Sequence, residues 1–453
     1  MNSKQPTKSQ LLGTDSIPAL LIQQALPASI GILVMSLNIL VDTIFVGNWI
    51  GSIAIAAINV VLPVSFFIAA LGMAIGIGGS SIISRALGAD NYEKARKVFG
   101  NQIAITLVIT ILSVVFGLWF MDSLVYSFGG KGAIFEPAKI YYRIVLYGVP
   151  VLALCMMGNT VIRAEGAPTH AMIAMLIPSV GNLLLDYILI NKLEMGMEGA
   201  AWATTLSYGL CFVYVAWFFV SGKSELVGTL KDLIPDWLIL KEIGGLGFVT
   251  LSRQAMSSVL YLILNNVLFE LGGEESVSVF GIIGRMMMFA LFPVMGITQG
   301  FLPIAGYNYG AQKWERVREV IFTSIKFACG LGVLIFLGLF FFTREIASIF
   351  TDNTVVIEET SFALKLVFIA VPIISIQLIG AAYYQAIGKV IPALLLTLLR
   401  MGFILIPLIL ILPSIYGELG VWISFPIADV LSTVITAWYL WVAMKKLKLE
   451  ITV

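Results

Sequence analysis

The sequence predicts an all-α integral membrane protein of twelve transmembrane helices in two pseudo-symmetric six-helix lobes. Three observations carry that prediction. The 453 residues are 59% hydrophobic and 12% charged, with mean hydropathy +0.99, whereas a soluble domain is about 45–50% apolar and about 25% charged. Apolar runs of about 20 or more residues recur along the chain, the length that crosses a hydrocarbon core. The chain also repeats itself at an offset of 222 residues, Gly88 matching Gly310. This balance excludes a soluble enzyme, a nucleic-acid binder and a disordered regulator. A net charge of +1 supplies no field for a polyanionic partner.

The elements follow in order. Span 1 (17–47) carries Pro27 and Asp42. Span 2 (53–84) carries Pro63, and span 3 is 98–121. Span 4 (134–162) holds Tyr141, Tyr142, Pro150 and Asn159. Span 5 (168–190) opens on Pro168 with His170 and contains Pro178, Asn182 and Asp186. Span 6 (197–221) holds Thr204. Span 7 (243–269) carries Arg253. Span 8 (275–305) carries Arg285, Pro293 and Pro303, and span 9 is 319–342. Span 10 (358–387) holds Pro372, Gln377 and Gln385. Span 11 (390–412) holds Arg400 and Pro407, and span 12 (419–444) holds Asp429. Each internal proline removes a backbone hydrogen bond and predicts a kink. The longer runs must tilt, kink or project beyond the core. The first run is too long for a cleaved signal peptide and lacks a clean cleavage site, so it is expected to stay as a span. Cys155, Cys211 and Cys329 sit inside apolar runs and read as small core residues, with neither disulfide nor metal spacing.

Orientation follows lysine and arginine. One set of connections holds Lys4, Lys8, Arg85, Lys94, Arg96, Lys97, Arg163, Lys223, Lys231, Lys241, Lys313, Arg316, Arg318, Lys389, Lys445, Lys446 and Lys448. The opposite set holds Lys131, Lys139, Arg143, Lys192, Arg344 and Lys365. The richer set is expected in the cytoplasm. That makes a multi-pass protein of the plasma (inner) membrane with both termini inside.

The repeat pairs Gly88-Ala89-x-x-Tyr92-Glu93-Lys94-x-Arg96 with Gly310-Ala311-x-x-Trp314-Glu315-Arg316-x-Arg318. The same offset maps Pro150 to Pro372, Gly158 to Gly380 and Gly166 to Gly388. The expected domains are an N-lobe at 1–222, a polar cytoplasmic linker at 223–236 and a C-lobe at 237–453. An even number of spans in each half makes the repeats parallel, an arrangement that suits rocking of one lobe against the other.

Charges inside the membrane are functional candidates, because one at the bilayer centre costs about 2.5–3.5 kcal/mol on insertion scales. Counting about 1.5 Å of rise per residue from the outer helix ends, Asp42 lies about 9 Å deep, Asp186 about 8 Å, Asn182 about 14 Å and Thr204 about 12 Å. Four oxygen-bearing side chains from three helices of one lobe thus share a layer. Two carboxylates, an amide oxygen and a hydroxyl suit a hard monovalent cation such as Na⁺, or a shared proton. An interhelical hydrogen-bond network is the structural alternative. Arg253, Arg285 and Arg400 lie near the midplane of the second half. They either bind an anionic substrate group or satisfy helix-end carbonyls and Asp429. One histidine and three isolated cysteines give little support to an intramembrane enzyme.

These residues bring the chain close to a known family. It resembles the multidrug and toxic compound extrusion (MATE) transporters over nearly its whole length. The resemblance rests on Ser84-Arg85-Ala86-Leu87-Gly88-Ala89, on Arg163-Ala164-Glu165-Gly166-Ala167-Pro168, on Pro303-Ile304-Ala305-Gly306-Tyr307-Asn308-Tyr309-Gly310-Ala311, and on Arg400 with Pro407. It implies export of amphipathic, often cationic compounds in exchange for Na⁺ or H⁺, with no other cofactor. Asp42, Asn182, Asp186 and Thr204 match the N-lobe cation site of the DinF-like branch. Asn159 matches a cavity residue there, and Tyr141 or, equally, Tyr142 matches a tyrosine. The NorM-like branch uses acidic residues in spans 7 and 10. Span 7 here carries Arg253 and span 10 offers only Gln377 and Gln385, so the pattern is closer to DinF.

The expected function is a secondary active antiporter whose partners are an amphipathic small molecule and the lipid bilayer, with no nucleic acid. The two lobes can form one pathway in a monomer. The alternative is a flippase for a lipid-linked saccharide or related amphiphile, which a basic cavity would favour.

Overall fold

The computed structural model describes residues 7–452, with side chains as far as Leu447. Lys4 and the side chain of Lys448, both used above for orientation, lie outside the described residues. Among the described residues every regular element is helical. A chain in hydrocarbon must satisfy its own backbone N–H and C=O groups, and helices do so within one segment.

Helix α1 is Ile17–Trp49, α2 Ser52–Gly88, α3 Tyr92–Trp119, α4 Phe135–Ala164, α5 Pro168–Asp186 and α6 Gly196–Val220. The stretch Trp237–Gly310 contains 74 residues and breaks at Gly273, whose φ of 66° and ψ of −146° are not helical. It therefore provides α7 (237–272) and α8 (274–310). Helix α9 is Trp314–Phe341. Helix α10 is the pair Thr354–Phe368 and Val371–Ala386, bent by 49°, with Pro372 at the start of its second part. Helix α11 begins as Val390–Leu398 and ends as Ile406–Ile411, and α12 is Glu418–Thr452. Among the described residues ten helices are long and apolar enough to cross a membrane, and the bent pair adds one. Counting α7 and α8 separately gives the twelve expected spans.

The helices outrun the apolar runs. Helix α3 starts at Tyr92, six residues before its predicted limit, because Asn91 caps it. The Asn91 side chain accepts a 2.9 Å hydrogen bond from the Lys94 backbone N–H. Glu93 in the first turn faces the positive helix end and pairs with Lys97 at 2.9 Å. The repeat is also visible in the backbone. Asp90 and Gln312 are left-handed at φ 54° and 56°, and Gly166 and Gly388 at φ 75° and 79°. Both pairs are 222 residues apart.

Packing divides the chain into two compact units. The first comprises Pro27–Thr250 and the chain up to Leu12; the second comprises Gly13–Leu26 and Leu251–Val453. These limits are not those of the sequence halves, and glycines explain why. In the first unit the opening of α7 lies backbone to backbone on α2. A Cβ on Gly78 would meet the Ile243 carbonyl at 2.3 Å, and one on Gly247 the Ala74 carbonyl at 2.8 Å. Arg85 Nη2 adds a 2.8 Å ion pair to Glu242. The linker is held by Asn101 of α3. Its amide donates to the Asp232 and Ile234 carbonyls at 3.3 and 3.2 Å and accepts from the Asp236 N–H at 2.7 Å. In the second unit the opening of α1 rests against Gly300, where a Cβ would lie 2.9 Å from that of Gln24. Lys313 Nζ donates to the Gly13 carbonyl at 2.9 Å, and Arg316 Nη2 to that of Asp15 at 2.7 Å.

The first core gathers Val61, Tyr141, Tyr142, Val145 and Val149. The second gathers Leu264, Phe280, Phe368 and Phe425. In the first unit α2 meets α4 through Gly72 and Gly76, one turn apart. A Cβ on Gly72 would stand 2.6 Å from the Ala153 carbonyl oxygen and 2.7 Å from its Cα. Small residues at this spacing let helices approach in lipid. Gly72→Ala is expected to lower the melting temperature in detergent. Its overpacking penalty of about 1–3 kcal/mol outweighs about 1 kcal/mol of helix propensity gained. Gly330→Ala is the control, since a Cβ there meets nothing within 4 Å. Equal behaviour of the two variants would refute the close approach.

Candidate functional site

In the first unit the carboxyl groups of Asp42 on α1 and Asp186 on α5 are neighbours. Asp186 is 0% exposed, and neither of its oxygens has a hydrogen-bond partner. One turn deeper on each helix stands an asparagine. Asn38 Nδ2 donates to Asn182 Oδ1 at 3.1 Å. That leaves Asn38 Oδ1 and Asn182 Nδ2 buried and unpartnered. Beside them the Tyr141 and Thr204 hydroxyls lie 3.3 Å apart, and Thr204 also donates to the Ala200 carbonyl at 3.1 Å. Of the two tyrosines in span 4, Tyr141 reaches Thr204. Tyr142 turns away to the Gly117 carbonyl at 3.3 Å. Asn159 is buried, and its amide ties α4 to α5 by a 2.6 Å bond to the Ala171 carbonyl.

Asn38 was missed by the sequence reading. The signal was present: Asn38-x-x-x-Asp42 repeats the spacing of Asn182-x-x-x-Asp186, which places amide and carboxylate on one face of each helix. Beyond Asp186 the helix widens into π turns over Tyr187–Lys192. Wide turns of this kind concentrate at functional sites. Among the described residues no group of three or more His, Cys, Asp or Glu gathers. The donor set is oxygen-rich, which suits a hard cation or a proton.

The family model for MatE matches residues 27–188 and 251–411, one stretch in each half. The chain belongs to the MatE family. The multidrug export protein MepA of Staphylococcus aureus (strain N315) is 28% identical over 406 residues, 89% of each chain. An outward-facing multidrug resistance MATE family transporter of the MOP superfamily matches with a TM-score of 0.91 and 29% identity. That match covers 98% of this chain and all of the other. A MATE transporter in the bent conformation matches with a TM-score of 0.92 and 29% identity over 98% of this chain and 99% of the other. The MatE fold thus accounts for the twelve spans, and the chain is a multi-pass membrane protein.

The second unit of this MatE chain holds different chemistry. Arg400 Nε donates to Asp429 Oδ1, and both residues are buried. Of the three arginines that the sequence offered to Asp429, Arg400 takes it. Arg400 sits within a second stretch of π turns, Leu399–Leu405, in the fifth helix of its half, as Asp186 borders the first. Arg285 is exposed and stands over the Phe350 ring at 5.7 Å. Arg285 and Arg400 line one cavity of about 560 Å³; Arg253 does not.

Glu165 was also missed, though it stands in one of the stretches that carry the MatE resemblance. It is buried in the loop between α4 and α5, where it accepts a 2.6 Å hydrogen bond from the Ser224 hydroxyl. Burial pushes its carboxyl up to about 8, against the lowering effect of Ser224 and with a further push from the Glu225 charge. Glu225 is itself held by the Ser9 N–H at 3.0 Å and the Ser9 hydroxyl at 2.6 Å.

Two outcomes follow from these buried groups. The folded chain keeps a proton on Glu165 that the unfolded chain, with an ordinary value near 4.5, releases. Stability from this group is therefore present at low pH and declines as pH rises from about 4.5 to about 8. Glu165→Gln should flatten that part of the melting-temperature profile, and an unchanged slope would exclude Glu165 as its source. Arg400→Met should cost about 3–5 kcal/mol by leaving Asp429 buried and unpaired. Replacing both, Arg400→Met with Asp429→Leu, should recover most of that loss in chemical denaturation. A double variant no better than the single one contradicts the pairing.

Proposed function

We propose that this MatE chain is a secondary active antiporter that exports amphipathic, cationic drugs or toxic compounds in exchange for Na⁺ or H⁺. The observation that carries the reading is Asp186. Its carboxyl is buried with both oxygens unpartnered, beside Asp42 and one turn above two asparagine amides. An unpaired charge in such a place is costly. A proton or Na⁺ shared between Asp42 and Asp186 relieves the cost, and Asn38, Asn182, Tyr141 and Thr204 supply the neighbouring oxygens. The MepA relatives are multidrug export proteins, which supports a small-molecule cargo.

The mechanism is alternating access. The basic helix ends face the cytoplasm, and the chain works as a monomer. An external cation binds Asp42 and Asp186, α1 bends at Pro27, and the cargo loses its site and leaves. The division between compact units falls at Pro27 itself. Proline interrupts the helical hydrogen bonds there, so the bend is concentrated at that turn. The cation drives the cycle only through its different affinity for the two states. Each cation moving inward gains about 2.3 kcal/mol per 100 mV of membrane potential, plus its concentration term.

The test is efflux of a cationic dye from vesicles under an imposed Na⁺ gradient, with membrane potential and pH clamped, and then under a proton gradient. Uphill efflux is expected under one of them. Asp42→Asn should abolish it while leaving the melting temperature within a few degrees of the parent. Normal uphill efflux by a well-folded Asp42→Asn protein would remove Asp42 from the coupling role. Silence of the parent under both gradients would reject the antiporter.

A further inference from the structure

The second unit has a cavity of its own, lined by α7, α8, α11 and Phe425 of α12. Its volume of about 560 Å³ lies within the range of small-molecule sites, about 300–1,000 Å³. Its polarity is the reverse of that of the first unit. Two guanidinium groups line it, Arg285 and Arg400, and no acidic residue does. Arg400 is matched by Asp429. Among the described residues no carboxylate pairs with Arg285, so the cavity carries one surplus positive charge. The Arg285 guanidinium stands over the Phe350 ring, 5.7 Å from its centroid. A guanidinium attracted to an aromatic face this way keeps its fork of donors free for a planar anion. The apolar wall includes Met287, Met288, Met295 and Met401. Thioethers adapt to varied shapes better than branched side chains do.

We infer that this cavity binds amphipathic organic anions, with Arg285 holding the anionic group and the methionines covering the apolar body. Carboxylates and sulfonates fit the fork of Arg285, since two parallel N–H donors match two anionic oxygens. The inference goes beyond the cation-coupled export proposed above and does not depend on it. An anion held in the second unit needs no cation at Asp42.

The test uses the full chain in phosphatidylcholine nanodiscs, without any ion gradient. Two fluorescent probes of one shape are titrated, dansylglycine and its neutral amide. The parent should prefer the carboxylate. Arg285→Met keeps an unbranched apolar stem and removes the charge. It should weaken carboxylate binding by about tenfold or more, the usual yield of a charge-assisted hydrogen bond, and leave the amide unchanged. Gly281→Leu is the second variant. A Cβ at Gly281 meets nothing within 4 Å, so the added side chain enters empty space and should weaken both probes. Equal affinity of the parent for the two probes would overturn the inference. So would an Arg285→Met protein that keeps the preference, or a Gly281→Leu protein that binds as the parent does. Failure of efflux with intact probe binding would count against the antiporter alone, and the converse against the anion site alone.

Discussion

A carboxyl group sealed among apolar helices without a hydrogen-bond donor cannot stay ionised at low cost. Asp186 is in that position, and the first unit is arranged around it. Asn38 and Asn182 bond across α1 and α5 and fix the two helix faces that carry Asp42 and Asp186. Tyr141 and Thr204 close the group from α4 and α6. The regular helix gives way to wider turns directly after Asp186, so the carboxyl stands where the helical hydrogen-bonding pattern changes. Among the described residues no basic side chain pairs with this carboxyl.

The second unit meets the same difficulty with its own residues. Arg400 and Asp429 neutralise each other in the interior, and their pairing asks for nothing from outside. What remains is Arg285, a positive charge with an aromatic neighbour and a methionine wall. The two sequence halves share one backbone plan, down to left-handed residues at equal offsets. Their polar interiors have nevertheless diverged in sign. A duplicated fold can keep its helices while each copy acquires a separate chemistry, because fold and site are set by different residues.

Much of this was legible in the sequence, for physical reasons. Spans are legible because lipid forces long apolar runs, and the repeat because glycine, proline and charge occupy special backbone positions. Asp42, Asn182, Asp186 and Thr204 were found because polar atoms in a membrane are rare and helical rise gives their depth. Depth alone did not reveal Asn38, although its spacing to Asp42 matches that of the second pair. Side-chain partners across helices were less accessible. Nothing in the order of residues singled out Arg400 from the three arginines offered to Asp429, separated Arg253 from the cavity of the other two, or buried Glu165 under Ser224. The linker was read as a polar connector, yet Asn101 binds its end at Asp232, Ile234 and Asp236. The first helix of each half was assigned to its own half. Close glycine contacts at Gly78, Gly247 and Gly300 assign the opening turns otherwise.

That last feature bears on how such a chain arose. A solitary six-helix ancestor would have had no home for the beginning of its own first helix, since that segment lodges in the opposite copy. Two ancestral copies trading their leading segments would have supplied it, as a domain-swapped dimer does. Joining the two genes by a short tether would then have preserved an exchange already in place. Once joined, the copies were free to accumulate unlike substitutions, because neither could any longer pair with a twin of itself.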